Sequence, residues 1–135
     1  MTTPHEIVRP LGLANPVGFS HAVVAGPGRT VYLGGQTGHD ASGELVSDDL
    51  VEQFDRAAAN VVTALRAAGA EPDHLVSMQI FVTDTDDYVE ALADLAPAYQ
   101  RHFGKHYPAI ALLQVVRLFD PGAKVELVAV AVVPD

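Results

Sequence analysis

Glu126 is the acidic residue whose surroundings most favour chemistry, because it lies inside a run of valine, leucine and alanine from Val125 to Val133. Side chains alternate between the two faces of a β-strand, so a strand over this run would have Glu126 on the same face as Val128 and Val130. An ionised carboxylate among apolar side chains costs several kcal/mol unless it is paired, hydrogen-bonded or protonated. The pattern therefore predicts either a ligand pocket at Glu126 or a carboxylate that reaches water at the end of a sheet.

A glycine-rich stretch, Gly34-Gly35-Gln36-Thr37-Gly38, is the second candidate for contact with a ligand. Its glycines permit positive φ angles or a close approach of the backbone to another group. The stretch lacks the Lys-Ser/Thr ending and the directly following helix of a phosphate-binding loop. It is typical either of a bulge or bend, or of backbone N–H groups that face a bound molecule.

The six histidines are scattered along the chain and do not form a metal-binding pattern. His102 and His106 are four residues apart, like a helical pair of ligands, but Gly104 lies between them and no acid accompanies them. Ser20 and His21 are adjacent, so on a strand they would point to opposite faces. The absence of cysteine excludes disulfides and thiolate chemistry. We expect neither a metal nor a cofactor.

Length and composition favour one globular domain over residues 1–135. The hydrophobic fraction of 49% argues against disorder, and the net charge of −9 opposes binding to nucleic acid or to an anionic membrane. No apolar run approaches the length of a membrane span, and the N-terminus lacks the basic start and apolar core of a signal peptide. We therefore expect a cytoplasmic protein with a small-molecule ligand.

Two amphipathic helices are predicted. The first, over Leu50–Ala68, would begin after the capping residues Ser47-Asp48-Asp49 and end at Gly69. The second would carry apolar and aromatic residues at helical spacing from Tyr88 to Phe103. Pro97 lies inside the second helix and is expected to kink or split it there.

Short apolar and β-branched runs between turn residues predict six strands. Gly26-Pro27-Gly28 would join the second and third strands as a hairpin, and Asp120-Pro121-Gly122 would separate the last two. The order of elements predicts an α+β fold, in which two helices cover only one face of a sheet of about six strands. Because the last two strands are apolar on both faces, the other face also needs a cover, and a second copy of the chain is the simplest one. The predicted strands are Glu6–Arg9, Ser20–Ala25, Thr30–Leu33, Leu75–Val82, Ala109–Val116 and Val125–Val133.

A set of short motifs spreads over nearly the whole chain in one order. The motifs are Gly18-Phe19-Ser20-His21-Ala22, Gly34-Gly35-Gln36, Gln53 with Asn60, Ala67-Ala68-Gly69-Ala70, Phe81-Val82-Thr83-Asp84, Tyr99 with Phe103, Pro108-Ala109, Arg117-Leu118 and Val125-Glu126-Leu127. With this set the chain resembles the Rid family, the reactive intermediate (enamine/imine) deaminases of the RidA or YjgF type. The resemblance implies a chorismate-mutase-like α+β fold and a homotrimer whose sheets form a central barrel, with small-molecule ligands in clefts between subunits.

The resemblance also implies roles for particular residues. A glutamate on the last strand activates or orients the attacking water, and Glu126 matches it. Gly35 matches a turn glycine whose backbone contributes to the pocket, while Gly34 replaces the neighbouring turn serine. Phe19 stands where the family has a pocket tyrosine, so it keeps the ring and lacks the hydroxyl. Ala96 stands where an asparagine often accompanies the site.

The largest departure from the family concerns the arginine that, as the resemblance implies, binds the substrate carboxylate after the Pro-Ala pair. Here Ile110 follows Ala109. Arg117 lies seven residues further on and would face the other side of an unbroken strand. Arg101 and Lys105, near the end of the second helix, are the remaining candidates to replace the arginine.

Three functions follow from these residues. The first is a hydrolase (deaminase) of small enamines or imines whose substrate choice is altered by Ile110. The second is a non-catalytic trimer that binds or senses a small molecule. The third is a pathway-specific enzyme that uses the same cleft for another acid–base step. Glu126 fits all three, and release of ammonia from an imine separates the first from the second.

Overall fold

The computed structural model describes residues 2–135. Over these residues it has six strands and three α-helices, and none of the helices is long and apolar enough to span a membrane. All of the predicted strands are present, with boundaries close to the expected ones. The elements are β1 (Glu6–Val8), β2 (Ala22–Val24), β3 (Gly28–Tyr32), α1 (Leu50–Ala67), β4 (Leu75–Val82), α2 (Thr85–Glu90), α3 (Leu92–Phe103), β5 (Ala109–Gln114) and β6 (Val125–Pro134).

The strands divide between two sheets. A four-stranded sheet has the order β3-β6-β4-β5, and β1 pairs with β2 in a separate two-stranded sheet. In the larger sheet β4 and β5 are parallel, while the other pairs are antiparallel. A parallel pair requires a crossover, which α2 and α3 provide between β4 and β5. The fold is therefore α+β with a mixed sheet, as predicted, but the six strands do not form one continuous sheet.

The predicted hairpin between β2 and β3 is wrong. The segment between them turns away because the Gly26 backbone N–H donates to Nδ1 of His5, which ties the turn to β1 (3.0 Å). β3 instead lies against β6, where Gly28 pairs with Pro134. A Cβ on Gly28 would be 2.1 Å from the Val133 carbonyl oxygen, so this close pairing requires glycine.

Helix α1 begins and ends as the sequence predicts. The Asp49 side chain accepts a hydrogen bond from the Glu52 backbone N–H (3.0 Å), which caps the first turn. At the other end Gly69 has a φ of +81°, and the Ala70 N–H donates to the Leu65 carbonyl (2.8 Å). These features form a Schellman termination, in which a left-handed glycine lets the chain leave the helix without strain.

The break in the second helical region is at Ala91 and not at Pro97. Ala91 ends α2 and precedes α3, and its N–H donates to the carbonyls of Asp87 and Tyr88 (3.1 and 3.2 Å). Pro97 lies within a continuous α3. The predicted split is absent there, because Pro97 and Ala93 are both exposed, so water can replace the one helical hydrogen bond that proline removes.

The two faces of the four-stranded sheet differ in burial. Helices α1 and α3 cover one face, which buries alternate residues of β6 such as Val125, Leu127 and Ala129, as the alternation predicted. We call the other side the open face. Direct strand pairing places Phe81 beside Glu126 and Tyr32 beside Val130 on it. The open face includes Tyr32, Ser77, Gln79, Phe81, Ala109, Ala111, Leu113, Glu126, Val128 and Val130.

Candidate functional site

The glycine-rich stretch forms a β-bulge opposite Val128, which lies next to Glu126 on the same face of β6. Gln36 exchanges two backbone hydrogen bonds with Leu127, both of 2.8 Å, and the Leu33 N–H donates to the Ala129 carbonyl at 3.1 Å. Two residues, Gly34 and Gly35, therefore lie between these bonds where β6 supplies one. An extra residue of this kind bends the strand and re-aims neighbouring groups. The sequence-based interpretation of the glycines as a bulge is confirmed.

Gly35 leaves room for the Glu126 carboxylate. A Cβ on Gly35 would be 1.9 Å from Oε2 of Glu126 and 2.7 Å from its Cδ, distances that no side chain tolerates. Glu126 is half-buried, and its neighbour across the ladder is Phe81. Among the described residues the carboxylate has no hydrogen-bond partner. It is therefore a free acceptor that lies against exposed backbone and an aromatic ring.

Ile110 and Phe19 lie in a different place, on the helix side of the sheet. Together they line an open cavity of about 590 Å³ between β5, α2, α3 and the loop before β2. We call this the helix-side cavity. It is lined by Val17, Gly18, Phe19, Ile80, Tyr88, Leu92, Leu95, Ala96, Tyr99, Gln100, Tyr107, Ile110 and Leu112.

Two contacts position Phe19 at the mouth of this cavity. The Ser20 N–H donates to the Pro108 carbonyl at 3.0 Å, which fastens the loop to the start of β5. His21 bonds to the Ala14 carbonyl at 2.7 Å, and the rings of His21 and Phe19 pack edge to face with their centroids 5.0 Å apart. The predicted substitutions at positions 19, 96 and 110 are thus neighbours around one cavity, although they are far apart in the sequence.

Strand register separates Ile110 from Glu126 within one chain. Ile110 pairs with Met78, whereas Glu126 pairs with Phe81, three residues further along β4. Because positions 78 and 81 differ by three, an odd number, the two pairs lie on opposite faces of the sheet. Ala109 pairs with Ser77 and so faces the open side. The predicted site residues therefore form two groups, Phe19 with Ile110 and Gly34 with Gly35 and Glu126.

The lining of the helix-side cavity contains no charged residue. Its polar groups are three tyrosine hydroxyls and the Gln100 amide. The Tyr99 hydroxyl donates to the His106 carbonyl (2.7 Å), and the Gln100 amide donates to the Tyr107 hydroxyl (3.0 Å). Burial raises the pKa of both Tyr88 and Tyr99, so these hydroxyls stay neutral.

None of the three candidate replacements for the missing arginine lines this cavity. Arg101 is directed towards α1, where its Nη2 donates to Oδ1 of Asp55 at 2.7 Å. Arg117 bonds to carbonyls of its own loop, those of Leu118 and Phe119. Lys105 lines a second cavity, of about 540 Å³, which shares Val17, Gly18, Phe19 and Tyr107 with the helix-side cavity. Arg9 is the other cation of this second cavity, which we call the cationic cavity.

Some contacts near the site were not predicted. Thr37 Oγ1 bonds to Nδ1 of His39 at 2.6 Å, and Nε2 of His39 bonds to Asp120 at 2.9 Å, which connects the glycine-rich stretch to the turn before β6. The Gln53 amide is fully buried and accepts from the Lys124 N–H at 2.8 Å. Asp120 lies in the predicted turn, but its pairing with His39 depends on how distant segments pack.

The sheet order, the helices on one face and the glutamate beside a glycine bulge define a small α+β domain with the chorismate-mutase-like architecture. Residues 12–133 match the family model Ribonuc_L-PSP, described as endoribonuclease L-PSP, and the chain belongs to this family. The resemblance to Rid proteins that the sequence motifs indicate is therefore confirmed.

Individual relatives agree with this assignment. The chain is 36% identical over 115 residues to the 2-iminobutanoate/2-iminopropanoate deaminase of Capra hircus, a match that covers 84% of this chain and 79% of the relative. It is 37% identical over 115 residues to Protein DfrA of Myxococcus xanthus, with 84% of each chain covered. The crystal structure of YyfB from Yersinia pestis, a Rid-family protein of unknown function, is similar with a TM-score of 0.86 at 32% identity, over 96% of this chain and 98% of that one.

Proposed function

We propose that this chain hydrolyses small enamines or imines to carbonyl compounds and ammonia, and that its preferred substrates lack the carboxylate of 2-imino acids. The observation that carries the proposal is the Glu126 carboxylate, which lies against Gly35 with no hydrogen-bond partner in the described part of the chain. Relatives named as imine deaminases support the class of reaction. The net charge of −9 argues against RNA as the substrate, despite the ribonuclease in the family description.

The proposed reaction needs one group that both accepts and returns a proton. Glu126 accepts a proton from water while the water oxygen forms a bond to the imine carbon, and it returns that proton to the imine nitrogen, which gives a neutral carbinolamine. Glu126 then passes the hydroxyl proton of the carbinolamine to the nitrogen as the C=O bond forms and the C–N bond breaks, so ammonia leaves and the carboxylate is regenerated. Acid–base catalysis by one positioned side chain contributes about 10²–10⁴-fold to a rate.

The substrate preference follows from the lining of the helix-side cavity. Ile110 cannot donate a hydrogen bond, and no cation is present among the lining residues. A carboxylate that entered this cavity would lose its hydration without gaining a partner, which is unfavourable. An uncharged imine does not incur this cost.

Completion of the site requires a second copy of the chain. Glu126 and the helix-side cavity lie on opposite sides of one sheet, so a substrate in the cavity cannot reach the Glu126 of the same chain. We therefore propose a homotrimer in which the open face of one copy supplies Glu126 to the cavity of its neighbour. The exposed apolar side chains of Val17, Val116 and Phe119 are consistent with burial in such an assembly.

A matched pair of substrates tests the proposal. An amine oxidase acting on propylamine generates propan-1-imine, and an amino-acid oxidase acting on 2-aminobutanoate generates 2-iminobutanoate, which differs by one carboxylate. We expect ammonia release from propan-1-imine to be accelerated and 2-iminobutanoate to be a poor substrate. Glu126→Gln should lose about 10²–10⁴-fold of the rate, and Glu44→Gln, which removes an exposed acid on a loop, serves as the charge-matched control.

The outcomes separate the candidate functions. No acceleration with either imine would refute the catalytic proposal and favour the non-catalytic binding trimer, which the loss of the arginine at position 110 also favours. Fast hydrolysis of 2-iminobutanoate would show that another group binds the carboxylate. In that event Ile110→Arg should give little further gain, whereas under our proposal it should raise the rate with 2-iminobutanoate.

A further inference from the structure

In the single chain, before a neighbour's open face covers it as proposed above, the helix-side cavity is much larger than a three-carbon or four-carbon imine requires. Its volume of about 590 Å³ lies within the range of about 300–1,000 Å³ that is usual for pockets of drug-sized ligands. Aliphatic side chains form much of the wall, and two of them, Leu92 and Leu112, are 48% and 37% exposed. A substrate with a large apolar group would cover these side chains and release the water next to them.

Aromatic rings dominate the remaining wall. Four of the thirteen lining residues carry one: Phe19, Tyr88, Tyr99 and Tyr107. Tyr99 and Tyr107 are stacked, with centroids 5.1 Å apart and an angle of 11° between their planes. Rings in such a wall present both faces and edges, which favours offset-stacked and edge-to-face contacts with another ring.

The polar groups of the cavity suit an uncharged ligand. The Tyr99 hydroxyl is already bonded to the protein, and the Tyr107 hydroxyl accepts from Gln100, so Tyr107 retains its own proton for donation. The half-buried Tyr88 hydroxyl has no partner among the described residues. Two hydroxyls are therefore available to a nitrogen or oxygen of the ligand, and no residue that lines the helix-side cavity carries a charge for a carboxylate.

We propose that the substrate of this site is an uncharged imine or enamine that carries an aromatic ring, and that the ring occupies the helix-side cavity. The proposal rests on the imine hydrolysis proposed above and names its substrate class. Water adds to the imine carbon and ammonia leaves, so the product is an arylalkyl aldehyde or ketone. The imine must come from the oxidation of an arylalkylamine that has no carboxylate on the carbon bearing the nitrogen.

The cationic cavity makes it possible to compare how the protein treats an acid and an uncharged imine. Arg9 and Lys105 line it, and it shares the Val17–Phe19 segment with the helix-side cavity. A ring-bearing acid would be expected to use these cations, and an uncharged imine would not. The double variant Arg9→Gln/Lys105→Gln should therefore leave hydrolysis of the uncharged substrate unchanged.

The kinetic test compares three imines generated in place. Phenylethylamine with an amine oxidase gives 2-phenylethan-1-imine, propylamine gives propan-1-imine, and phenylalanine with an amino-acid oxidase gives the ring-bearing imino acid. We expect kcat/KM for 2-phenylethan-1-imine to exceed each of the others by about tenfold or more, because the ring gains apolar contact and the carboxylate loses hydration. Equal or faster hydrolysis of either of the other imines would overturn the proposal.

A pair of variants on neighbouring positions tests where the ring binds. Leu92 lines the cavity and is half exposed, so Leu92→Asp adds a charge to the wall without burying it in the core. Val89 is 56% exposed and lies outside the lining, so Val89→Asp is the matched control. We expect Leu92→Asp to lose about tenfold in kcat/KM for 2-phenylethan-1-imine and little for propan-1-imine. An equal loss for both imines, or an equal loss in both variants, would contradict a ring in this cavity.

A binding measurement is independent of catalysis. Phenylacetamide and phenylacetate have nearly the same shape and differ in charge, and their binding can be followed by NMR shifts at Phe19, Tyr88 and Leu92. We expect phenylacetamide to bind about tenfold tighter. Binding of the amide without hydrolysis of any imine would support the ligand class and refute the proposed reaction. Hydrolysis of propan-1-imine without binding of the amide would support the reaction and overturn the ring.

Discussion

Leu127 and Val128 are adjacent aliphatic residues of β6, yet Leu127 is buried and Val128 is half-exposed. Leu127 faces α1 and α3, where it belongs to a continuous core with Phe54 and Phe103. Val128 belongs to the open face, in line with Glu126 and Val130. The same kind of side chain thus has two different surroundings, depending only on the parity of its position.

The two faces of the sheet therefore have different roles. The helix face, which is the side of the sheet covered by α1 and α3, contains the largest buried side chains and no acid. It therefore accounts for most of the stability of a single chain. The open face carries the one acid of β6 and leaves its apolar residues partly accessible. Stability and the proposed chemistry are therefore supplied by opposite sides of one sheet, and the predictions below test whether the two can be changed separately.

The largest expected effect is on the helix face. Phe54 is 1% exposed within the core, so Phe54→Ala should lower the free energy of unfolding by about 3–5 kcal/mol. Tyr32, an aromatic residue of the open face, is 80% exposed, and Tyr32→Ala should cost an isolated chain only about 0.5 kcal/mol. Urea denaturation of both variants at low protein concentration measures the difference. Similar losses in the two variants would show that the open face also forms part of the core of one chain.

The elements themselves were largely predictable, because their causes are local. The cap at Asp49, the termination at Gly69 and the alternation along β6 each depend on residues close together in the sequence, and each is present. The β2–β3 hairpin failed because a distant histidine, His5, competes for the turn. The predicted split at Pro97 failed because exposure, which the sequence does not state, makes the lost hydrogen bond inexpensive.

The candidate site was predictable only as separate residues. Glu126 was selected from its position in an apolar run and Gly35 from a glycine-rich stretch, the resemblance gave them roles, and the structure places them in contact. That Ile110 faces away from Glu126 follows from the pairing of both strands with β4, and pairing register cannot be read from one strand alone. The helix-side cavity combines residues of a loop, two helices and two strands, so no single segment predicts its shape.

The next effect concerns assembly through the open face. Val128→Glu places a carboxylate at the centre of this face, where the proposed homotrimer would bury it without a partner at a cost of about 3 kcal/mol or more per copy. We expect light scattering to show a trimer for the unchanged protein at micromolar concentration and a monomer for this variant, with the circular dichroism spectrum retained. The control Glu90→Gln changes one exposed acid on α2 and should remain trimeric. A stable monomer of the unchanged protein would end the trimer proposal.

A smaller effect separates function from stability at the glycine bulge. Gly35→Ala adds a Cβ where the Glu126 carboxylate now lies, so the carboxylate must move, but the atom it meets is the end of a flexible side chain. We expect imine hydrolysis to fall about 100-fold, or about 2.7 kcal/mol of transition-state stabilisation, with a much smaller change in unfolding free energy. Gly34→Ala meets no atom within 4 Å and has no positive φ, so its loss should be far smaller. Equal activity losses would mean that Gly35 does not position Glu126.

The smallest expected effect is a pH dependence of the free energy of unfolding that arises from His106. Burial lowers the pKa of His106 below 6.5, and this outweighs the opposing effects of the hydrogen bond to the Leu75 carbonyl and of Asp73, while His5 acts in the same direction as burial.

Because the pKa of His106 is lower in the folded state, the unfolded chain binds the proton first as the pH falls. Unfolding free energy should therefore be insensitive to this group above pH 6.5 and decrease as the pH falls below it. His106→Gln can keep a donor for the Leu75 carbonyl, and it should flatten the slope of unfolding free energy against pH below pH 6.5. Asp55 does not contribute to this slope. Burial raises the pKa of its carboxyl, but the stronger combined effect of Arg101 and His102 lowers it below 3.8. Its contribution to the free energy of unfolding is therefore lost only below pH 3.8. An unchanged slope in His106→Gln would assign the pH dependence to another histidine, and a pH-dependent change of the trimer itself would assign it to the open face.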